Sequence, residues 1–579
     1  MRLAALGAAT ALLFASCTPV EAPVKFLIGV SQANLSEPWR ISMTDEIQQQ
    51  AALHPELRII VADASDSLGK QIGDVEKFEG LGVDLLIISP LESEALTPTV
   101  TRVYQSIPVI VLNRSVANYD YTLFIGPDNA RIGQEAGRFV ARTLRNSGGN
   151  VLEVLGRSAS PPTLERAEAF RQEIAQNPLI RLQSAVLANW LRDGAQDLVL
   201  DRLRSEAPPR VIFAHNDAMA YGAWLAAEQL GLTKKISFLG VDGLPGPQGG
   251  LELLRSGILD GTFLSPTGGK EAVEFALALL RHEGEQPKKV ILGTRFLTRG
   301  DLPVLDTAAV KSGPWSVAYL PSTGADGWRQ RLKTSAERAL RAGGWTLTEL
   351  EGAQPALPPR VDAVVVDATD SGTADTVRRE AVETLARARG VPLFRLGPQP
   401  EQGDDGGWIL ALGPDGIEEG RRAARWLTAQ GVRHVLEVTA PAAAAGTADL
   451  SAGLSRGLSE GRPASVTLVT ATDGSRKAAK EAVERALAAG VAFDGVFAHT
   501  DELALGASDA LQDRPAPKIL VAGVGGGPEA VAALKSGALG CLIRSPADLG
   551  PLLRSDMLRS VDDRGVSRRL VTSHDVLTR

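Results

Sequence analysis

The reading turns on VIFAHNDAMAYGAWLAAEQLG, residues 211–231. It begins as a β-branched apolar run of the kind that forms a buried parallel strand, passes through the polar turn His215-Asn216-Asp217, and continues as a helix of small residues. GVFAHTDELALGASDALQD, residues 495–513, repeats it. Three further pairs occur in the same order. SQANLSEPWRISMTDEIQQQA (31–51) matches LPSTGADGWRQRLKTSAERAL (320–340), and FIGPDNARIGQEAGRFVARTL (124–144) matches ALGPDGIEEGRRAARWLTAQG (411–431). FLGVDGLPGPQGGLELLRSGILDGTFLSP (238–266) matches VAGVGGGPEAVAALKSGALGCLIRSP (521–546). Four ordered matches half a chain apart imply tandem duplication of one unit.

Outward from these anchors the pattern alternates. Short apolar runs at 25–30, 57–62, 83–89, 109–112 and 123–125 are separated by helical periodicity at 39–52 and 69–80. A second series has strands at 151–155, 182–187, 211–214, 236–241 and 261–264, with helices at 162–176, 194–204 and 218–230. This βαβ cadence predicts an α/β fold with two doubly wound lobes per unit, and a segment near 269–292 that returns to the first lobe. The expected boundaries are a first unit over 25–300, a linker over 301–313 and a second unit over 314–579. Residues 398–407 and 440–448 read as loops by composition.

The 579 residues carry a net charge of -7, and a chain of this length exceeds a single core. The acidic balance argues against nucleic acid as a partner. The N-terminus has Met1-Arg2, an apolar run over 3–14, and the small residues Ala15-Ser16 before Cys17. This resembles a bacterial lipoprotein signal, with residues 1–17 as leader, Cys17 lipidated and 18–24 a tether; an ordinary secretory leader is the alternative. With Cys17 so used, Cys541 has no disulfide partner.

Ligands of open α/β sheets bind beyond the carboxyl ends of the strands. In the first unit those positions carry Ser31-Gln32, Trp39-Arg40, Ser89, Asn113-Arg114, Asp128-Asn129, Trp190, Asn216-Asp217 and Asp242. Amides, guanidinium groups and carboxylates bracket hydroxyls, and an indole stacks on an apolar sugar face. Asp217, ahead of a helix, reads as an N-cap, and His215, repeated as His499, reads as structural. No metal or cofactor is implied. G-x-S-x-G occurs at 453–457 and 457–461 but not directly after a strand, where a nucleophile elbow requires it, and G-x-G-x-x-G after the first strand and a Cys/His cluster are absent from the sequence, so no enzyme signature stands out.

GVSQ…PWR, LNRS, TLERAEAF, AHNDAMAYGA and GVDGLP make the first unit similar to the periplasmic sugar-binding proteins of ABC importers, nearest the galactofuranose- and ribose-binding type. The resemblance implies a type I periplasmic-binding fold, two lobes closing about a hinge on a monosaccharide. It implies that Trp39 stacks on the sugar, that Arg40, Arg114 and Arg166 bond hydroxyls, that Asn216 and Asp242 bracket others, and that Trp190 forms the far wall. Asn113 departs from the family's Asp-Arg pair. The implied partners are an ABC permease or, alternatively, a receptor or sensor kinase that reads the closed form; the implied place is the periplasm, anchored to a membrane by lipid.

The second unit keeps Trp328-Arg329 and little else. Asn113-Arg114 faces Gly397-Pro398, Arg166 faces Leu450, Asn216 faces Thr500, Asp242 faces Gly525, and Trp190 faces a stretch without aromatics over 470–475. The expectation is a second copy that folds alike and does not bind the first unit's sugar.

Overall fold

The computed structural model describes residues 24–306, 314–323, 327–369, 373–399, 407–441, 446–461, 464–512, 519–562, 568–572 and 574–578. The expected leader, Cys17, the tether up to residue 23, part of the linker (307–313) and parts of both expected loops lie outside these residues. Among the described residues no helix is long and apolar enough to cross a membrane.

The alternating elements read from the sequence are present, and their boundaries follow elementary chemistry. Val109–Leu112 and Val211–Ala214 are wholly buried strands, as their apolar composition requires in a sheet covered on both faces. Helix Asn129–Thr143 starts where the Asp128 carboxylate accepts from the Arg131 amide (3.1 Å), and its counterpart Gly416–Ala429 starts on Asp415 and the Glu418 amide (3.1 Å). The expected strand over 182–187 is instead split into Ile180–Leu182 and Val186–Leu187. Two short strands, Arg295–Leu297 and Asp575–Thr578, escaped the sequence reading; each pairs antiparallel with the last strand of an outer lobe, Thr262–Leu264 and Cys541–Arg544 respectively.

The larger surprise is how the units join. Each has an inner and an outer lobe. The outer lobes are separate sheets of five and six strands, whereas the inner lobes share one twelve-stranded sheet. In the first unit its order runs from Leu57–Asp63 through Phe26–Gln32, Leu85–Ser89, Val109–Leu112 and Leu123–Pro127 to the return strand Lys289–Leu292. In the second it continues from the return strand Arg568–Thr572 through Trp408–Pro414, Leu393–Leu396, Ala363–Asp367 and Ser316–Leu320 to Thr346–Glu349. Neighbours are parallel except at the seam, where the two return strands run antiparallel.

Register shows what kind of seam this is. Lys289 lies beside Phe124 and Arg569 beside Ala411, so Lys289 and Arg569 are counterparts, as are Val290 and Leu570. Across the seam Val290 faces Leu570, Lys289 faces Val571 and Ile291 faces Arg569. Each residue therefore meets the counterpart of its own mirror position, the signature of a local two-fold axis through the Val290–Leu570 pair. One apolar cluster runs continuously beneath the sheet, from Ile28, Ile110 and Leu292 to Leu570, Val317 and Trp315. The helix Gly269–Leu280 meets Gly550–Asp562 over this seam, with Glu274 3.7 Å from Arg559 and the Arg559 guanidinium 4.8 Å above the Phe275 ring. Arg568, buried, donates to Glu271 at 2.9 Å.

Candidate functional site

The first unit's cleft is built from loops at the carboxyl ends of its strands, and most of the expected side chains converge there. Arg40, on the first turn of helix Pro38–Ala52, is wholly buried; its Nη1 donates to Gln32 Oε1 (3.2 Å) and Ser89 Oγ (2.9 Å), and its Nε lies 3.4 Å from Glu37. Arg40 Nη2 has no hydrogen-bond partner. Trp39, packed on the inner-lobe core, likewise leaves its indole N–H unpaired. Arg114 donates to the Leu91 carbonyl (3.3 Å) and lies 4.0 Å from Glu37, with Nε unpaired. Burial, with Arg40 nearby, draws its pKa down to about 9.

From the outer lobe, Arg166 donates from Nε to Asn129 Oδ1 (3.0 Å) and from Nη1 to the His215 carbonyl. Burial lowers its pKa to about 10, against the attraction of Asp242 and Glu165. Trp190 stands between the lobes: the Arg114 guanidinium is 5.9 Å and that of Arg166 5.8 Å from its ring. Its φ of +72°, following Asn189 at +53°, is strained backbone for such residues. The indole fills the space over Gly156, where an added Cβ would fall 2.1 Å from the ring, so only glycine admits it. Its Nε1 is also buried and unpaired. Asp242 (φ +122°) is buried on the same side, and burial beside Asp217 raises its carboxyl well above the usual range.

Three of the singled-out residues take other places. Asn216, not Asp217, is the N-cap of helix Asp217–Gln229: its Oδ1 accepts from the Met219 amide (2.8 Å) while its Nδ2 donates to the Trp190 carbonyl (3.0 Å), which fixes the indole's loop. Asp217 instead ties strand ends together, accepting from the Gly243 amide (2.7 Å) and Thr262 Oγ1 (2.6 Å), with its pKa raised to about 7 by burial. Asn113 takes φ +67° and lines a separate cavity of about 470 Å³ at the junction of the units; its counterpart Gly397 has φ +123°. The turn demands left-handed backbone, which Asn tolerates and Gly prefers.

Other contributors were missed. Glu37 sits between Arg40 and Arg114, held by Asn34 Nδ2 at 2.8 Å, and the neighbouring cations keep it ionised despite burial. The only sequence trace was Glu three residues before Arg40. Arg157 and Asp66 pair across the lobes at 2.6 Å. His215 is structural, as expected: its Nε2 lies 3.1 Å from Glu153, and burial lowers its pKa. His499 and Glu437 repeat the pair at 2.8 Å. A carboxylate inside each of two apolar strands, VLEVL and VLEVT, was the signal.

Among the described residues, the second cleft's retained Trp-Arg pair is bonded from within. Arg329 donates to the Thr369 carbonyl from Nε (3.2 Å) and Nη2 (2.8 Å), and Trp328 Nε1 reaches the Ser545 carbonyl (3.1 Å). Arg331 Nη2 donates to the Gly526 carbonyl (3.2 Å). Leu450, buried, occupies the place of Arg166, and Gly525 (φ +143°) that of Asp242.

With this geometry in place, the comparison with known proteins is direct: the profile of the periplasmic binding protein domain matches residues 28–286 and again 317–552. The chain belongs to the periplasmic binding protein family. It is 30% identical over 220 residues to a ribose import binding protein of Bacillus subtilis, across 38% of this chain and 70% of that one. Against the ribose import binding protein of Salmonella typhimurium the identity is 29% over 290 residues, 50% of this chain and 95% of the other. The galactofuranose-binding protein of Escherichia coli is 25% identical over 293 residues, covering 48% and 88%. Among solved structures, the fructose-binding periplasmic domain of a hybrid two-component system is 37% identical over 48% of this chain and 93% of its own, with a TM-score of 0.47. Half of this chain thus accounts for nearly all of a relative, and the periplasmic binding protein carries the fold twice.

Proposed function

We propose that the first unit captures a monosaccharide by closure of its two lobes, without catalysis, and that the closed form is read by the permease of an ABC importer. The observation that carries this is the set of unpaired buried donors, Arg40 Nη2, Arg114 Nε and the indole N–H groups of Trp39 and Trp190, around one cleft. Orphaned buried donors cost about 1–3 kcal/mol each. A ligand bearing several acceptors on a small ring removes that cost, and a sugar presents both hydroxyls and an apolar face for Trp39 and Trp190. In this reading the ligand contacts are Trp39, Arg40, Arg114, Arg166, Trp190 and Asp242, with Asn216 holding Trp190. The second unit, whose described Trp328 and Arg329 donors are bonded internally, folds without that ligand. Cys17 carries the lipid that keeps the protein at a periplasmic membrane face, and residues 301–313 link the units.

The test is a thermal-shift screen of the mature chain against pentoses and hexoses, followed by calorimetry. A ligand at 100 times its Kd adds about 2.7 kcal/mol to the body that binds it. The expected result is one sugar class shifting one transition, with Arg166→Ala abolishing the shift; a well-folded protein that no sugar shifts rejects the proposal.

A further inference from the structure

We propose that Arg569, on the second unit's return strand, is a positioning residue for ligand capture by the first unit. The inference rests on the reading that the first cleft binds the sugar. The seam grips each unit's hinge from the other side. The Asp415 carboxylate, N-cap of the second unit's first outer-lobe helix, accepts from Lys289 Nζ (2.6 Å) and from Tyr119 Oη (2.6 Å), both in the first unit. Reciprocally, the Asp128 carboxylate, N-cap of the first unit's helix Asn129–Thr143, accepts from Arg569 Nη2.

What Arg569 holds leads into the cleft. Asp128 stands where the chain crosses from inner to outer lobe: its amide donates to the Leu292 carbonyl of the return strand (3.2 Å), and its Oδ1 caps the helix at Arg131. The next residue, Asn129, opens the helix and holds Arg166 by Nε–H···Oδ1 (3.0 Å), while its Nδ2 donates to Glu165 (3.1 Å). Arg166 faces the Trp190 ring. Arg569 is thus two residues of bonding away from a guanidinium in the cleft, although it touches no ligand itself. The pair is largely shielded, with side-chain exposures of 21% and 10%, so water screens it less than a surface ion pair. A lone unit would leave Asp128 without this cation.

The pseudo-symmetry supplies the control. Lys289 makes the equivalent grip on the second unit's hinge, where Leu450 stands in place of Arg166, so a general weakening of the seam and a specific loss at Asp128 can be told apart.

The experiment uses the mature full-length chain, as wild type, Arg569→Ala, Arg569→Lys and Lys289→Ala. Affinity is measured by calorimetry for whichever of D-ribose, L-arabinose, D-galactose and D-fructose binds the wild type, and amide exchange is followed without ligand. Arg569→Ala should weaken binding about three- to tenfold, the range expected for loss of a partly buried charge pair, and speed exchange at residues 130–133. Arg569→Lys should restore most of the affinity. Lys289→Ala should speed exchange at 417–420 and leave the affinity at the wild-type value. Wild-type affinity in Arg569→Ala, or equal weakening by Lys289→Ala, overturns this proposal and leaves the sugar site standing. Failure of the wild type to bind any of the sugars overturns both.

Discussion

Leu570→Ala probes the seam at its axis. Leu570 is fully buried, faces Val290, and belongs to the apolar cluster that runs beneath both inner lobes. Truncating such a leucine removes the transfer free energy of its methyl groups and leaves a cavity, about 2–5 kcal/mol in all. Because the shared sheet and core couple the inner lobes, this cost falls on both units together. At about 3 kcal/mol, spread over a coupled body of this size, a drop of about 3–5 °C in melting temperature follows. Differential scanning calorimetry with and without the bound sugar reads the effect: the transition that the sugar raises must be the one that Leu570→Ala lowers, although the substitution lies outside the unit proposed to bind it. Leu436→Ala, equally buried but in the second unit's outer-lobe core, serves as the contrast and should leave the sugar-linked transition in place. Should Leu570→Ala lower only a transition indifferent to sugar, the inner lobes unfold independently and the argument from a common core fails.

Gly133→Ala would bring a Cβ to 2.2 Å from the Arg166 carbonyl, so the helix carrying Arg166 must move. A stability loss of about 1–3 kcal/mol and weaker sugar binding by calorimetry are expected. Gly420→Ala, with the same clash at the Leu450 carbonyl (2.1 Å), should destabilise without changing sugar affinity. Burial of Lys288 among Tyr104, Tyr119 and Tyr121 lowers its pKa to about 7 from the usual 10.5. The unfolded chain therefore binds a proton that the native protein does not between these values, so this group destabilises below pH 10.5 and its penalty shrinks as pH rises from 7. Lys288→Met should raise the melting temperature by a few degrees near pH 7.5, a gain that fades as the pH is raised toward the unfolded-state value.

The fold of each unit was legible because its signals are local. Runs such as VIFA are short, β-branched and ended by polar turns, which favours a buried parallel strand over a helix. Duplication made the reading stronger, since GPDN and GPDG, or AHND and AHTD, recur with the same surroundings. Arg40, Arg114, Arg166, Trp190 and Asp242, the proposed ligand contacts, were chosen because ligand sites sit beyond strand ends. Residues that act by holding others were harder to read. Asn216 and Asp217 both suit a cap, and only backbone geometry decides between them. At Asn113 a polar residue after a strand is ambiguous between a side-chain role and a left-handed turn. The seam was not readable at all: Arg568–Thr572 has the composition of any short strand, and nothing in it specifies which edge it will meet.

The local two-fold at Val290 and Leu570 has an evolutionary consequence. In a dimer of identical subunits every substitution at such an axis is felt twice, and a change that suits one side must suit the other. Here the halves are separate stretches of one chain, so each can drift alone. Lysine stands on one hinge carboxylate and arginine on the other, and the Trp39-Arg40 pair keeps unpaired donors while Trp328-Arg329 bonds to carbonyls of its own unit. Fusion converts a symmetric contact into two independently tunable ones, and it fixes their stoichiometry and local concentration at any expression level.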